Sequence, residues 1–538
     1  MQAYLKSKFM QDQNVLNYIK AVLENRPTDW LALTTHRLDI YNEKLAKTQF
    51  LDGFEALFTA NTAETTALTQ LPTAYDYIRL GHPLSCILEW GIAKLNHIAS
   101  ENVISFSSQT IPVLAILRTN LLDQKQTRII YTDQLPQSFN AAVIKRVYGY
   151  NFELKKADSL GALSKFDGTT IFISEQDTIG GFDLTQPGAD TVDFFIQVYN
   201  NLGSVLIVNG KENESYISDM QHVRRRETIA MTPVDSLVAL KHLIEKSSVE
   251  NQLIDRSANK TSVLNSIKEI TGTPLKPLVG SSGLSIQYAI MMGLIHDALD
   301  HHAGKAIKFI VPPNCYGGTN DQARRVAATL DNVEVVDLPV DGDNDMVKSI
   351  DTVLAKIAHD DAIPYIIAEI PTNPRVEVPD LQQLKAVLGQ TRKTETGETA
   401  IDPVFILDQT FCPNVHFLGD GEILSTIRTI SYASGSKFPS GGQCTAGYCV
   451  GNEKTIGLME KIDGHLKLCD NEATHLQMEI LAKQLPSMIQ RIHDAYLNTR
   501  AFVNFIKSSL PEAKINFVSE ELAEQGFTPS VFSLGLPT

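Results

Sequence analysis

Short apolar runs alternate with longer amphipathic stretches from about residue 100 onward. The runs have the length and the β-branched content of buried strands, whereas the segments between them repeat apolar residues at helical spacing. The strand candidates are "RIIYTD", "TTIFIS", "SVLIVNG", "IKFIVPP", "VEVVDL", "PYIIAEI" and "VFILDQ". Strands separated by helices predict βαβ units and a mostly parallel sheet, whose ligands bind at the carboxyl ends of the strands.

The same pattern divides the chain, because 538 residues exceed one ordinary hydrophobic core. The beginning is predicted to be helical and irregular, a polar helical stretch near residues 241–272 is a plausible connector, and the pattern after Gly451 turns helical. The predicted regions are a helical N-terminal arm (1–72), an extra α/β segment (73–250), a large α/β domain (251–455) and a small C-terminal domain (456–538).

A weak internal repeat connects the extra segment with the large domain. In chain order, "NVISFSSQT" aligns with "KPLVGSSGL", "RIIYTDQLPQSF" with "IKFIVPPNCYGG", "TTIFISEQD" with "PYIIAEIPT", and "SVLIVNG" with "PVFILDQ". This alignment places Asn209 opposite Asp408 and gives the earlier copy no lysine opposite Lys437. Two unrelated α/β segments could also be aligned this loosely, so chance similarity stays open.

Composition narrows the class of partner. A formal net charge of -15 without a long basic run argues against nucleic acid and anionic membranes, and favours a small-molecule substrate. The longest apolar run is too short to cross a bilayer, and the N-terminus lacks the apolar core of a signal peptide. Six cysteines without a CxxC pair fit reduced thiols. We therefore expect a cytoplasmic protein.

Lys437 lies in the small-residue turn "SYASGSKFPSGGQCTAGYCVGN", directly after an apolar strand. A surface lysine needs no such setting. A lysine amine does covalent work when it forms a Schiff base with an aldehyde held beside it, as with pyridoxal phosphate. That cofactor also needs a phosphate cradle, a carboxylate at its pyridine nitrogen and a flat group over its ring.

Candidates for these three groups come earlier in the chain, each at the end of a predicted strand. The turn "GSSGLS" precedes a helix whose first amides would attract a phosphate, although most such turns only cap the helix. Asp408 ends "VFILD" and could keep the pyridine nitrogen protonated, or simply cap the next turn. Tyr316 precedes two glycines and could cover the ring, and Asn373 stands in "PTNP"; an ordinary loop and a rigid turn are the alternatives.

The order of these groups resembles the Cys/Met-metabolism family of pyridoxal phosphate enzymes, which includes cystathionine γ-synthase, cystathionine lyases, methionine γ-lyase and homoserine-ester sulfhydrylases. The similar motifs are "YGGT", "EIPTNP", "LDQTF" and "SGSKFPSGG", together with the upstream "YIRLGHP". The resemblance implies an α/β fold of the aspartate aminotransferase type (fold type I). It consists of a mostly parallel seven-stranded large domain and a smaller C-terminal α+β domain, here preceded by the extra N-terminal α/β segment.

The resemblance also implies roles for individual residues. Lys437 would form the Schiff base and move protons, and Tyr316 would stack on the ring and assist proton transfer. Asp408 would hold the pyridinium. The other implied cofactor contacts are Thr410 on the opposite ring face, Asn373 near the ring hydroxyl and substrate carboxylate, Gly283, Leu284, Ser434 and Ser436 at the phosphate, and Tyr77 and Arg79 from a neighbouring subunit. The last two imply a homodimer or homotetramer with shared active sites; no metal is expected.

Several positions depart from the family pattern. Gln443 stands where many members have histidine, and His82 replaces the asparagine before Pro83. About 200 residues separate "YIRLGHP" from "GSSGLS", which are nearly adjacent in the family, so the stretch between them is either an inserted domain or a degenerate copy of the cofactor domain. The arginine that would bind the substrate carboxylate is expected beyond the last residue, and the small domain is expected to be incomplete.

The preferred hypothesis is a pyridoxal phosphate enzyme that makes or breaks a carbon-sulfur bond at Cγ of an amino acid. The favoured reaction is of the cystathionine γ-synthase type, with an activated homoserine and cysteine. Cystathionine or methionine γ-lyase and homoserine-ester sulfhydrylase stay open, because elimination and replacement share intermediates. A catalytically silent protein of the same fold, serving for binding or as a scaffold, is the alternative from another class.

Overall fold

The chain forms two compact units in the computed structural model. Unit 1 comprises Met1–Ile254 and Leu468–Asn471, and unit 2 comprises Asp255–Lys467 and Glu472–Thr538. The structure describes residues 2–32, 46–75, 77–132, 134–157, 159–162, 164–247, 257–340 and 345–535. The boundary predicted at 250/251 lies outside these residues. No helix in the described ranges is long and apolar enough to span a membrane.

In its described residues, unit 1 begins with four α-helices and continues as an α/β sandwich. Its elements are α1 (Gln2–Glu24), α2 (Ala46–Thr59), α3 (Thr65–Thr69), α4 (Pro83–Asn96), β1 (Val103–Phe106), α5 (Ile111–Leu122), β2 (Thr127–Tyr131), α6 (Ala141–Val147), β3 (Glu153–Lys156), β4 (Thr169–Glu175), β5 (Phe194–Tyr199), β6 (Gly203–Val208), α7 (Tyr216–Arg226) and α8 (Pro233–Glu245). The helices of residues 1–72 share one apolar core with α4 and α8, because Ile19 and Phe54 pack in the same buried cluster as Trp90.

Unit 2 contains a larger α/β sandwich followed by helices and a small two-stranded sheet. Its elements are α9 (Ser257–Thr271), β7 (Leu278–Gly280), α10 (Gly283–His301), β8 (Ile307–Val311), α11 (Gly317–Ala327), β9 (Val333–Asp337), α12 (Met346–His359), β10 (Ile363–Glu369), α13 (Leu381–Leu388), β11 (Val404–Asp408), β12 (Thr429–Ser434), β13 (Gly447–Gly451), α14 (Ile456–Leu468), α15 (His475–Gln484), α16 (Met488–Ser509), β14 (Lys514–Asn516), α17 (Glu520–Glu524) and β15 (Ser533–Gly535).

The large sheet of unit 2 confirms the predicted fold class. Its seven strands follow the order β7-β13-β12-β11-β10-β8-β9, and the pairs from β12 to β9 are parallel. Only β13 runs in the opposite direction, since it pairs antiparallel with both neighbours. Strands β10 and β11 are buried along their whole length, as expected for a sheet with helices on both faces. The carboxyl ends of β10, β11 and β12 therefore meet at one edge.

The sheet of unit 1 follows the same plan with one strand fewer. Its order is β1-β6-β5-β4-β2-β3, with β6 antiparallel to both neighbours and parallel pairs from β5 to β3. Matching the antiparallel strand and the chain connections gives the pairs β1/β7, β2/β8, β3/β9, β4/β10, β5/β12 and β6/β13. Strand β11, which carries Asp408, has no counterpart among the described residues of unit 1.

This topology overturns one of the aligned segments. "SVLIVNG" forms β6, an antiparallel strand in the position of β13, whereas "PVFILDQ" forms the parallel strand β11. Asn209 is therefore not the counterpart of Asp408. Both segments are buried apolar runs that end in a polar residue, and the direction of a strand in its sheet leaves no mark in so short a run. The six cysteines are all buried free thiols, as predicted.

Candidate active site

The candidate site of unit 2 lies at the edge where three neighbouring strands end. Glu369 ends β10, Asp408 ends β11 and Ser434 ends β12. The register pairs Glu369 with Asp408 directly, and Asp408 with Tyr432. Polar residues at strand ends are brought together in this way because parallel strands present all their carboxyl ends on one side.

Lys437 lies in the loop of residues 435–446 that joins β12 to β13. Its ammonium donates a hydrogen bond to the Ser436 hydroxyl at 3.0 Å, and the hydroxyl oxygens of Ser436 and Ser434 are 2.8 Å apart. The Lys437 side chain is exposed, whereas Ser436 is buried. The amine is thus presented to solvent from a serine-lined turn.

The start of α10 lies against this loop. Ser282 and Ser285 form a reciprocal capping box, in which each side chain accepts a hydrogen bond from the backbone of the other. This cap leaves the amides of Gly283 and Leu284 for another acceptor, because the first amides of a helix have no partner within the helix. A Cβ built on Gly283 would lie 3.0 Å from the Cα atom of Ser434. Only glycine allows the helix start and the lysine loop to approach so closely.

Asp408 is linked to the lysine loop through Thr410. The Thr410 amide donates to the Asp408 carboxylate at 2.8 Å, and the Ser434 amide donates to the Thr410 hydroxyl at 3.0 Å. A continuous series of contacts therefore joins Lys437, through Ser436, Ser434 and Thr410, to Asp408. Residues from two separate sequence motifs, "LDQTF" and "SGSKFPSGG", therefore form one cluster.

Burial controls the charge of Asp408, which is only 8% exposed. Desolvation raises the pKa of its carboxyl above the ordinary value. Hydrogen bonds from Thr410 and Tyr432 and the positive charge of Lys437 act in the opposite direction. The carboxylate would therefore gain from a cation placed against it.

Glu369 belongs to the site, although its role was not predicted from sequence. Its two carboxylate oxygens accept the amide of Tyr316 at 2.9 Å and the amide of Asn373 at 3.1 Å. One buried side chain thus fixes the backbone of two predicted site residues. Burial and the neighbouring Asp408 raise the pKa of Glu369 to about 8. The sequence shows only a glutamate at the end of an apolar run. Such a residue also occurs at ordinary turns, so it does not by itself indicate a site.

Tyr316 stands at the N-terminus of α11 with 43% of its surface exposed. A Cβ built on Gly318 would lie 2.5 Å from its ring and 2.8 Å from the Leu284 side chain, so the ring folds back over this glycine beside the start of α10. An exposed aromatic plane therefore borders the free amides of that helix.

Arg491 of α16 holds the lysine loop from the other side. Its guanidinium donates to the carbonyl of Phe438 at 2.6 Å and to the carbonyl of Gln484 at 2.9 Å. Phe438 directly follows Lys437, so Arg491 restrains the backbone that carries the amine. The sequence gave no sign of this role, because the contact spans more than fifty residues of chain.

Tyr77 and Arg79 lie in unit 1, outside this cluster. Both are buried, and the Arg79 guanidinium stacks 4.4 Å from the centre of the Tyr77 ring. They directly precede α4, the helix that leads into β1, just as residues 248–256 precede α9 in unit 2; those residues lie outside the described ranges. The predicted contact of Tyr77 and Arg79 with a neighbouring subunit's phosphate stays a prediction.

Comparison with solved structures gives partial matches over about half of the chain. A cystathionine gamma-lyase from Micromonospora echinospora aligns with 16% identity and a TM-score of 0.40, covering 53% of this chain and 71% of that one. The metB protein of Corynebacterium glutamicum gives 16% and 0.38, covering 53% and 66%. A yeast cystathionine gamma-lyase gives 17% and 0.38, covering 51% and 62%. No protein-family model and no curated protein matches this chain.

Proposed function

We propose that the chain is a pyridoxal phosphate enzyme of sulfur amino-acid metabolism that acts at a carbon-sulfur bond at Cγ. The observation that carries the proposal is the hydrogen-bonded series from Lys437 to Asp408 beside the start of α10. An exposed amine, a set of anion donors and a buried acid are three of the four groups that this cofactor needs. Because all three occur together, a purely structural role for any one of them explains the site less well than cofactor binding does.

The residues of the site suit the cofactor in their chemistry. The amides of Gly283 and Leu284 and the hydroxyls of Ser434 and Ser436 supply donors for a phosphate. Asp408 is a buried acceptor for a protonated pyridine nitrogen, and the cation would offset the cost of burying its charge. The remaining contacts assigned from the resemblance are the ring of Tyr316, Thr410 on the opposite ring face and Asn373 near the substrate carboxylate.

Bound there, the cofactor would supply an electron sink for charge that develops at the substrate α-carbon. Lys437 would provide the covalent attachment and afterwards carry protons at its Nζ atom. Tyr316 would orient the ring and could take or give a proton at its hydroxyl. Glu369 would hold Tyr316 and Asn373 in place through their amides.

Among the reactions at Cγ, we propose a γ-replacement of the cystathionine γ-synthase type, with an activated homoserine and cysteine as substrates. Lyases of cystathionine or methionine and sulfhydrylases of homoserine esters would use the same groups. They differ in which nucleophile is admitted. We further propose a homo-oligomer in which Tyr77 and Arg79 of one subunit bind the phosphate in another.

The first experiment tests cofactor attachment. The purified protein, saturated with pyridoxal phosphate, is expected to absorb visible light as a lysine adduct, and Lys437→Ala is expected to lose that band. Lys454→Ala, which removes an exposed lysine beyond β13, is the matched control and should retain it. A normal band in Lys437→Ala would contradict the proposal, and a colourless wild type would favour a silent member of the fold.

The second experiment separates the reactions. The loaded protein is incubated with cystathionine, methionine and homoserine esters, each with and without cysteine. A synthase should form cystathionine only when ester and cysteine are both present. Release of 2-oxobutanoate without added thiol would instead assign a lyase.

A further inference from the structure

The start of α5 in unit 1 holds a carboxylate of its own chain. The Gln109 amide donates to the Asp470 carboxylate at 2.8 Å. The next two amides, of Thr110 and Ile111, donate to the Ser108 hydroxyl at 3.1 and 3.0 Å. The carboxylate therefore binds the amide just before the N-cap residue Thr110, close to the positive end of the helix.

The position is equivalent to the predicted phosphate cradle of unit 2. Ser108 and Gln109 are the second and third residues after β1, as Ser282 and Gly283 are after β7. Strands β1 and β7 occupy the same edge position in sheets of the same plan. The Asp470 carboxylate thus touches the counterpart of the Gly283 amide.

Unit 1 lacks the other parts of the site. The loop between β5 and β6 comprises residues 200–202, whereas the corresponding loop of unit 2 comprises residues 435–446 and carries Lys437. The described residues of unit 1 also contain no strand that would carry a counterpart of Asp408. Neither an amine nor an acid is therefore offered to a cofactor in these positions of the described part of unit 1.

We propose that Asp470 occupies a former phosphate site, so that unit 1 binds no cofactor and uses its anion cradle to hold the segment Leu468–Asn471. Neighbouring contacts fasten the same segment. The Ser108 hydroxyl donates to the Cys469 carbonyl at 2.7 Å, and the Asn471 side chain donates to the Glu227 carbonyl at 2.8 Å. The cradle thus no longer binds a ligand and instead holds a segment of the chain. We call the contacts of Ser108 and Gln109 with Cys469 and Asp470 the latch.

The latch is tested by removing its charge and offering phosphate instead. In the cofactor-saturated protein, Asp470→Ala is expected to lower the melting temperature by about 1–4 °C, the scale of losing one anion near a helix N-terminus. Inorganic phosphate at about 50 mM, against sodium chloride of equal ionic strength, should restore roughly half of this loss by entering the emptied cradle. If the alanine variant folds poorly, Asp470→Asn, which keeps the size of the side chain, replaces it in the test. Its melting temperature should also fall, and phosphate should again restore part of the loss.

Asp167→Ala is the matched control, since it removes one exposed acid from unit 1. It should melt like the wild type and show the same small response to phosphate. The proposal is overturned if Asp470→Ala melts like this control, or if phosphate stabilises the wild type as much as the variant. Neither result depends on enzyme activity, so the latch can fail or hold independently of the proposed function.

A cofactor count adds a second readout, and this part rests on the proposed function. Alkaline release of pyridoxal phosphate from the saturated wild type should give about one equivalent per chain. Two equivalents would overturn the assignment of unit 1 as cofactor-free. No equivalents would reject the proposed function and leave the phosphate test of Asp470 unaffected.

Discussion

Glu369 and Asp408 end neighbouring parallel strands and face each other in register, which brings two buried carboxyl groups together. They have different partners: Glu369 accepts backbone amides of Tyr316 and Asn373, and Asp408 accepts that of Thr410. Two charges so close and so poorly solvated oppose each other. The pair therefore keeps a proton at pH values at which an exposed pair would have lost it.

Replacing Glu369 should change how stability depends on pH. The pKa of Glu369 is about 8 in the folded protein and 4.5 without the fold, so between these values the folded state keeps a proton that the unfolded chain has lost. Stability then falls as pH rises through this window, by at most about 1.4 kcal/mol per pH unit for one proton. In the cofactor-free protein, Glu369→Gln should flatten the decline between pH 6.5 and 8.5, as measured by denaturant unfolding.

In this pH range the effect of Glu369 on stability is separate from that of two buried histidines. Burial lowers the pKa of His82 to about 4 and that of His465 to about 3. Both histidines therefore change the free energy of unfolding mainly below their ordinary pKa of 6.5, and there stability rises with pH. Glu377→Gln, at an exposed glutamate of the loop that follows β10, serves as the control and should keep the wild-type slope. An unchanged slope in Glu369→Gln would show that Glu369 ionises normally.

Asp408→Asn should bind cofactor but turn over poorly. The amide oxygen can still accept the Thr410 amide, so the local fold is expected to survive. Without the negative charge the pyridine nitrogen would not stay protonated, and the rate should fall by at least about 10²-fold. Steady-state kinetics and the absorbance spectrum check this. Turnover within a few-fold of the wild type would contradict the assigned role of Asp408.

Gly283→Ala should disturb the phosphate cradle. The added methyl group would lie 3.0 Å from the Cα and 3.1 Å from the Cβ of Ser434, so α10 and the lysine loop must separate. We expect a loss of about 1–3 kcal/mol in unfolding free energy and weaker cofactor binding in equilibrium dialysis. Gly457→Ala is the control, because a Cβ there meets nothing within 4 Å. Equal effects of the two substitutions would argue against a tight approach at Gly283.

Arg491→Lys should loosen the loop that carries Lys437. A single ammonium cannot bridge the carbonyls of Phe438 and Gln484 as the guanidinium does. Faster hydrogen exchange is therefore expected in peptides covering residues 435–446, together with a smaller fraction of covalent cofactor. Arg500→Lys, on the same helix, should leave that loop unchanged. If both variants exchange alike, Arg491 does not anchor the loop.

Much of the candidate site could be predicted from sequence because its residues stand at the ends of strands. An apolar run followed at once by a polar residue predicts a strand end, and parallel strands place such ends together. The structure brings Lys437, Asp408, Tyr316 and Asn373 to one edge in this way. Their catalytic roles stay predictions until the experiments above are done.

Other features could not be read from the chain. The direction of β6 is set by its pairing with β1 and β5, and residues within the segment do not determine that pairing. Glu369 looks like any glutamate at a turn until the register sets it beside Asp408. Asp470 carries no motif, and the amide it binds lies more than three hundred residues earlier.

The sequence alone determined which side chains are available for chemistry and that they stand at strand ends, because periodicity and turn residues act over a few positions. Only the tertiary structure decided that Glu369 lies beside Asp408 and that Arg491 restrains the lysine loop. It also decided that the described part of unit 1 has only a short loop in place of the lysine loop and no counterpart of β11. Those features depend on contacts between distant parts of the chain, where hydrogen-bond geometry and desolvation, rather than local preference, set the outcome.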